Sequence, residues 1–103
     1  MALVIVMTTT DKLETAEKFA AELVERKLAA CVQIEKIKSL YRWQEMIQED
    51  EEFRLMIKTV AEKVTSVKEY LLNFHNYEVP EIIVVPVSDS SQAYREWVEE
   101  ETK

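Results

Sequence analysis

Glycine is absent from all 103 residues, and this absence narrows the possible functions. The P-loop and the dinucleotide-binding fingerprint both need glycines at fixed positions, where the backbone must approach a phosphate closely. Neither motif is therefore present. Turns and helix ends must use other residues instead, which restrict the unfolded chain more than glycine does and so favour stability.

Cysteine and histidine are almost as scarce, with one of each in the chain. A single cysteine permits no internal disulfide, so a reducing compartment is the simplest location. The apolar run over residues 1–7 lacks the basic region and the length of a signal peptide, and it is too short to span a membrane. We therefore expect a cytoplasmic protein that does not associate with a membrane.

Basic residues are also few: the chain has 13 of them and 20 acidic residues, so the formal net charge is −7. Nucleic-acid binding needs clustered positive charge, so this balance argues against a nucleic-acid partner. Apolar residues, in contrast, make up 48% of the chain, which is enough for a packed core. The length suits one domain spanning residues 1–103.

Hydrophobic periodicity predicts elements in the order β-α-β-β-α-β-α. Residues 2–7 and 82–87 are apolar at both parities, which is typical of buried strands. Apolar residues at helical spacing predict helices over residues 12–27 and 64–73, and a short helix near the C-terminus. A second strand is predicted to start at residues 29–34 and to alternate over residues 37–43, and residues 53–59 are predicted to form its partner in a long hairpin.

Several local signals refine these elements. Asp11 and Glu14 have the spacing of a capping box at the start of the first helix. Positions 37, 39, 41 and 43 are predicted to share one strand face. The acidic run over residues 48–52 is expected to form the solvated end of a hairpin. Residues 88–91 are predicted to form a turn that caps the final helix.

This order of elements predicts an α+β fold of the ferredoxin-like type, with a split βαβ sheet and its two main helices on one face. A sheet covered on one face should alternate between apolar and polar positions. Residues 2–7 and 82–87 do not alternate, so their second faces must be buried too. We therefore expect an oligomer in which sheet faces pack together.

Three segments together resemble one known family: residues 28–32 (LAACV), 39–44 (SLYRWQ) and 75–82 (HNYEVPEI). Residues 24–25, 57–59 and 94–97 add support. On these motifs the chain is similar to the CutA family, the divalent-cation tolerance proteins, over essentially its whole length. The resemblance implies a single CutA-like domain, a ferredoxin-like homotrimer with an architecture like that of the PII signalling proteins, and no enzymatic activity.

The chain departs from the family pattern at four positions. Asn76 stands where the family usually has proline, and Glu45 where it usually has glycine. Thr8 and Phe74 stand where some members carry a cysteine and a histidine. The last two departures remove side chains that a copper site transferred by analogy would use.

Family members from bacteria are linked with copper tolerance, so the resemblance implies Cu(II) or another divalent cation as ligand, and no organic cofactor. His75 is the leading candidate metal ligand, because neutral imidazole binds copper well. Glu78 is a second candidate, and Cys31 offers a thiolate for Cu(I). Other interpretations remain open: His75 as a backbone-bonded helix end, Cys31 as a buried apolar side chain, and Glu78 as a surface carboxylate.

A second candidate site combines aromatic and basic side chains. The resemblance places Lys58 near a pocket between subunits, with Tyr41, Trp43 and Tyr77 as further lining residues. An anion contact by Lys58 would make the protein a PII-like sensor or scaffold that binds a small anion or a protein partner in an intersubunit cleft. Packing at an interface is the other interpretation of the aromatics and accounts for most of them, and a snorkelling side chain is the other interpretation of the lysine. The chain has no nucleophile-elbow pattern, and we expect no enzyme.

Overall fold

Four strands and three helices follow one another in the computed structural model, which describes residues 2–103. They are β1 (Leu3–Thr10), α1 (Leu13–Glu25), β2 (Cys31–Trp43), β3 (Met46–Val60), α2 (Val64–Phe74), β4 (Ile83–Pro86) and α3 (Gln92–Glu101). A 3-10 turn, Ala61–Lys63, joins β3 to α2. The predicted order is confirmed. Within residues 2–103, no helix has the length and apolar character needed to cross a bilayer.

The strands form one sheet in the order β2-β3-β1-β4, and every neighbouring pair is antiparallel. Val6, in the middle of β1, faces Ile57 on one side and Val84 on the other. This strand order confirms the predicted α+β, ferredoxin-like arrangement. Directly opposed residues point to the same side of a sheet, so the register assigns each strand residue to one of two faces.

The main core lies between the two longer helices and one side of the sheet, the covered face. Val6, Leu55 and Ile57 point from the strands into this core and are fully buried. Phe19 from α1 and Leu71 from α2 meet them there, at 1% and 0% exposure. Each such side chain contributes about 1.5–3 kcal/mol to folding through removal of apolar surface from water. The apolar residues predicted to lie along one side of each of the two longer helices therefore pack into this core.

Helix α1 ends in a Schellman motif that is built on a lysine in place of glycine. Lys27 has a φ of 60°. Its N–H donates to the Val24 carbonyl at 3.0 Å, and the Leu28 N–H donates to the Leu23 carbonyl at 3.0 Å. These bonds satisfy carbonyl groups that the helix end would otherwise leave free, at the cost of a left-handed backbone at a residue with a Cβ.

The start of α1 differs from its prediction. Lys12 is the N-cap residue, and within residues 2–103 its side chain makes no capping hydrogen bond. The predicted capping box of Asp11 and Glu14 is therefore wrong. Asp11 instead accepts a hydrogen bond from Asn76 at 2.7 Å, so its carboxylate serves the segment after α2. At the C-terminal helix, Ser91 is the N-cap and accepts from the Tyr94 N–H, as the turn prediction implied.

The β2–β3 hairpin turns earlier along the chain than predicted. Gln44 and Glu45 form a two-residue loop with φ values of 50° and 67°. Positive φ at both positions is the geometry of a type I′ turn. The acidic run over residues 48–52 lies within β3, so the prediction that it forms the solvated hairpin end is wrong. The strand predicted to start at residues 29–34 and to alternate over residues 37–43 is β2, which runs without a break from Cys31 to Trp43.

Ion pairs across the hairpin explain why acidic residues remain in a strand. Lys36 pairs with Glu51 and Lys38 with Glu49, both at 3.2 Å. Opposite charges on adjacent strands offset the low strand propensity of acidic residues. All four side chains are more than half exposed, so each pair contributes about 1 kcal/mol at most.

The opposite side of the sheet, the open face, is covered only in part. Leu3, Val60 and Val98 form a small buried cluster there, so α3 covers the start of β1. Ile83 and Val85 of β4 point to the same side and are 48% and 38% exposed in the single chain. Helix α3 thus supplies the second covering surface for part of β1, whereas Ile83 and Val85 of β4 stay partly exposed.

Candidate functional site

A groove of about 1000 Å³ lies between the hairpin and the segment after α2. One side is the arm, residues 37–52, which extends past the point where Thr10 faces Phe53 at the end of β1. The other side is the strap, residues 75–81, which leads from α2 towards β4. The open face of the arm forms the floor of the groove, and the strap forms a wall.

The floor of the groove follows the predicted alternation of β2. The groove is lined by all four positions that were predicted to share one face, namely Ile37, Ser39, Tyr41 and Trp43. On β3, Asp50 faces Ser39 and Glu52 faces Ile37, so these carboxylates share the same floor. Because side chains alternate between the two faces of a strand, these aromatic rings and carboxylates lie side by side on one face.

Acidic side chains outnumber basic ones around the groove. Six carboxylates line it, namely Asp11, Asp50, Glu51, Glu52, Glu78 and Glu81, and Glu51 among them is paired with Lys36 outside the lining. The two basic residues of the lining are Lys38, which is paired with Glu49, and Arg54, which forms an ion pair with Glu35. Because neither of those carboxylate partners belongs to the lining, the positive charges are already compensated outside the groove. The groove therefore carries an excess of negative charge, which raises the local concentration of cations.

Two tyrosine hydroxyls donate hydrogen bonds to carboxylates in the floor of the groove. The Tyr77 hydroxyl donates to Glu52 Oε2 at 2.7 Å, and the Tyr41 hydroxyl donates to Asp50. Burial, followed by the bond to Glu52, raises the pKa of Tyr77. The bond to Asp50 is the main cause that raises the pKa of Tyr41. Both phenols therefore keep their protons at neutral pH and act as hydrogen-bond donors.

Glu52 is the most enclosed carboxylate of the groove, with 8% of its surface exposed. A buried carboxylate needs hydrogen-bond donors to offset its lost hydration. The Tyr77 hydroxyl supplies one and also closes the strap over the floor. This bond therefore links the position of the strap directly to the charge beneath it.

Asn76 ties the strap to the end of β1. Its side-chain oxygen accepts from the Thr10 hydroxyl at 2.8 Å, and its side-chain nitrogen donates to Asp11 Oδ1 at 2.7 Å. The family usually has proline at this position, which fixes φ by its ring. In this chain two side-chain hydrogen bonds restrain the same position instead.

His75 has both ring nitrogens in hydrogen bonds to backbone. The Tyr77 N–H donates to Nδ1 at 3.0 Å, so this nitrogen carries no proton. Nε2 lies 2.9 Å from the Thr9 carbonyl and is assigned as the protonated nitrogen, because a carbonyl only accepts. Burial lowers the pKa of His75, although the bond to Thr9 opposes the shift. The side chain is thus a neutral imidazole, and its hydrogen bond to Thr9 connects the strap to β1.

The predicted metal ligands are not brought together within one chain. Glu78 lines the groove and His75 does not, whereas Cys31 faces Lys58 near the opposite end of the sheet. Lys58 in turn faces Ile5, four residues or about 13 Å along β1 from the His75 contact. Within residues 2–103, no group of three or more His, Cys, Asp or Glu side chains converges in the way that holds a metal ion.

The predicted pocket residues divide in the same way. Tyr41, Trp43 and Tyr77 share the groove of one chain. Lys58 lies outside that groove, and its Nζ sits 5.9 Å from the centre of the Tyr94 ring. Lys58 would reach such a groove only if it came from another copy, so its place in an intersubunit pocket stays a prediction.

Sequence reasoning missed several residues of the site, among them Asp11, Asp50, Glu52 and Asn76. Asp11 was assigned to a helix cap, and the acidic pair to a hairpin end. The alternation of β2 carried a usable signal, because extending it across a two-residue turn places Asp50 and Glu52 on the same face as Tyr41. For Asn76, the signal was the departure from proline at a position that needs restraint.

Comparison with known proteins gives one consistent result. The family described as CutA1 divalent ion tolerance protein matches residues 4–101. The divalent-cation tolerance protein CutA of Thermus thermophilus is 38% identical over 99 residues, which are 95% of this chain and 96% of that protein. A CutA homolog of Xenopus laevis is 46% identical over 84 residues, and the match covers 81% of this chain and 56% of that protein.

Solved structures agree with the sequence matches. CutA from Synechococcus elongatus has a TM-score of 0.96 at 35% identity, with 99% of this chain and 91% of that chain covered. The protein described as the periplasmic divalent cation tolerance protein CutA from Archaeoglobus fulgidus also has a TM-score of 0.96, at 34% identity, with 98% and 99% covered. The family match spans nearly the whole chain, and the relatives are well above 30% identical. This chain therefore belongs to the CutA family of divalent ion tolerance proteins.

Proposed function

We propose that this protein binds divalent cations, with Cu(II) as the leading candidate, and acts in metal tolerance as a non-enzymatic homotrimer in the cytoplasm. The excess of carboxylates around the groove carries the proposal: six acidic side chains line it, of which Glu51 is paired with Lys36, whereas both of its basic residues are paired with carboxylates outside it. A concave, negatively charged site with restrained side chains favours a small cation.

The donor chemistry supports a divalent cation. The groove offers carboxylate, phenol and amide oxygens, and His75 adds an imidazole at its margin. Oxygen donors suit hard divalent cations, and an imidazole raises the preference for copper. One chain supplies too few converging ligands for a closed site within residues 2–103. Additional ligands from a neighbouring copy would complete it, which is why the cation and the trimer are proposed together.

Exposed apolar surface supports the trimer. Ile83 and Val85 on the open face remain 48% and 38% exposed in the single chain. At the arm, Leu40 and Ile47 are 64% and 69% exposed. Apolar side chains on two regions of one molecule are typical of a surface that another copy covers. Light scattering coupled to gel filtration should give three times the chain mass of 12.1 kDa. A monomer at micromolar concentration would contradict the trimer.

Calorimetric titration with Cu(II) tests the cation site. We expect the Asp50→Asn/Glu52→Gln double variant to bind copper at least about ten-fold more weakly than the wild type. Glu62→Gln/Glu69→Gln removes the same charge from exposed positions outside the groove lining and is the matched control. His75→Ala separates the imidazole from the carboxylates. Equal affinity in His75→Ala and the wild type would remove His75 as a ligand, and equal affinity in all variants would remove the groove.

The alternative proposal is a PII-like sensor or scaffold that binds a small anion or a protein partner in an intersubunit cleft. Lys58 favours it, because this half-buried lysine has no carboxylate within ion-pair distance among the described residues and lies against the Tyr94 ring. Thermal-shift screening should then show stabilisation by organic anions or nucleotides that is lost in Lys58→Ala. An unchanged shift in Lys58→Ala would remove this alternative.

A further inference from the structure

At the tip of the arm, a methionine faces a tryptophan. Met46 begins β3 and lies directly opposite Trp43, the last residue of β2. Their side chains therefore point to the same side of the arm, about 5 Å apart. A thioether beside an aromatic ring makes a favourable contact. The pair is the last cross-strand contact before the turn, and Trp43 is also one of the residues that line the groove.

The turn that this pair flanks is costly in itself. Gln44 and Glu45 lie between the two strands and have φ values of 50° and 67°. The left-handed region costs a residue with a Cβ more than it costs glycine. Because neither position is glycine, the turn depends on contacts between the flanking residues to stay closed. The contact of Trp43 with Met46 is the nearest of these.

Met46 is also the most exposed methionine within residues 2–103. Its exposed fraction is 66%, whereas Met7 and Met56 are half-buried and face each other in the middle of the sheet. Ile47, the next residue, points to the opposite side of the arm, together with Leu40. A second copy that covered this opposite side would therefore leave Met46 open to small molecules in solution.

We propose that Met46 is a site of reversible oxidation, and that its conversion to the sulfoxide by a peroxide loosens the tip of the arm and releases Trp43 from its position at the groove. This inference goes beyond the proposed function, because no cation takes part in it. The oxidation changes a flexible apolar side chain into a polar one. The contact with the indole ring is then lost, while the cost of the turn remains.

The reaction balances with hydrogen peroxide as the oxidant. A lone pair of the Met46 sulfur attacks one peroxide oxygen, so that an S–O bond forms while the O–O bond breaks. The hydrogen of the transferred oxygen passes to the other oxygen, which leaves as water. Sulfur is oxidised by two electrons and the peroxide is reduced. Methionine sulfoxide reductases reverse this modification, with one enzyme for each epimer of the sulfoxide.

Peptide mapping by mass spectrometry, after brief exposure of the protein to hydrogen peroxide, tests the site. We expect Met46 to gain one oxygen before Met7 and Met56 do, because its thioether is the most exposed of the three. Oxidation of Met7 or Met56 as fast as Met46 would overturn the proposal. So would a Met46 that does not react.

Hydrogen exchange tests the consequence for the arm. Peroxide treatment should speed amide exchange over residues 43–47 by about two- to ten-fold, the range expected from loss of one methionine–aromatic contact. Met46→Leu keeps an apolar side chain and should show no such increase. It also keeps Cys31, so the comparison isolates the thioether of Met46. Met56→Leu is the matched control and should respond as the wild type does.

Unchanged exchange in the oxidised wild type would show that the tip does not depend on this contact, and would overturn the proposal. An equal increase in Met46→Leu would assign the effect to another residue and would also overturn it. Treatment of the oxidised protein with both types of methionine sulfoxide reductase should restore slow exchange. Exchange that stays fast after this reduction would contradict the reversible site.

Discussion

The Thr59 hydroxyl donates to the Leu28 carbonyl across 2.7 Å, and both groups lie at the junction of β3 and the loop after α1. Thr8 on β1 is buried to the same extent, at 0% exposure. Its hydroxyl, in contrast, has no hydrogen-bond partner among residues 2–103. Two equally buried threonines therefore have opposite energetic roles, since a buried hydroxyl without a partner keeps its full desolvation cost.

Replacing each threonine by valine should change stability in opposite directions. We expect Thr8→Val to raise the free energy of unfolding by about 1 kcal/mol, because the shape is kept and an unpartnered hydroxyl is removed. Thr59→Val should lower it by about 1–2 kcal/mol, because the Leu28 carbonyl loses its donor. Urea denaturation at one fixed protomer concentration measures both. Destabilisation by Thr8→Val would indicate that this hydroxyl does have a partner.

Replacing Lys27, at the end of α1, with glycine should stabilise the protein. Its φ of 60° is left-handed, a conformation that costs a residue with a Cβ about 1 kcal/mol. We expect Lys27→Gly to stabilise the protein by about 0.5–1 kcal/mol, since the gain exceeds the entropy that glycine adds to the unfolded chain. Lys18→Gly in the middle of α1 should instead destabilise by about 1 kcal/mol and is the matched control. Denaturant midpoints of the two variants should therefore move in opposite directions.

The turn of the arm offers a second glycine position. Glu45 has a φ of 67°, and the type I′ geometry prefers glycine there. We expect Glu45→Gly to stabilise the hairpin by about 0.5–1 kcal/mol and to slow amide exchange in the arm. Glu49→Gly, within β3, should have the opposite effect. If Glu45→Gly loosened the arm, the positive φ would not be a source of strain.

Acidification should weaken the strap through His75. Burial lowers the pKa of His75 in the folded protein below the ordinary value of 6.5, so the unfolded chain binds the proton more readily. The stabilisation is therefore present above pH 6.5 and is lost as the pH falls through 6.5 and on towards the lower folded pKa. Protonation also places a hydrogen on Nδ1, which then cannot accept from the Tyr77 N–H.

The difference in unfolding free energy between wild type and His75→Gln, measured at several pH values, isolates this effect. We expect His75→Gln to lose part of the decline in stability that the wild type shows between pH 7 and pH 5. Asp11 and Glu52 are the carboxylates that act on the histidine, and both are kept in His75→Gln, so the comparison changes only the imidazole. Identical slopes between pH 7 and pH 5 would mean that His75 does not titrate in this window.

Much of the architecture could be predicted because it depends on local periodicity. The stripe containing Phe19 and Leu23 indicated α1, and the apolar run through Val6 indicated a buried strand. The position of the hairpin turn could not be predicted, because Gln44 and Glu45 carry no turn signal of the asparagine–glycine type. The register of β2 with β3 places the turn at these two residues.

Residues of the groove could be predicted from the sequence only where strand alternation determines which face of the sheet their side chains occupy. Tyr41 and Trp43 follow from the alternation of β2. The partnership of Tyr77 with Glu52 joins residues 25 positions apart and depends on where the strap crosses the arm. No sequence period encodes that crossing, so the burial of Glu52 and the engagement of both nitrogens of His75 became evident only from the structure.

Strand β3 runs without interruption from the arm into the core. Its first half places Asp50 and Glu52 in the groove, and its second half places Leu55 and Ile57 under the helices. Deleting one residue between these halves would turn every later side chain to the opposite face. Evolution can therefore change this groove by substitution but not by a single insertion or deletion between them, so the spacing from groove to core should be invariant among descendants even where the lining diverges.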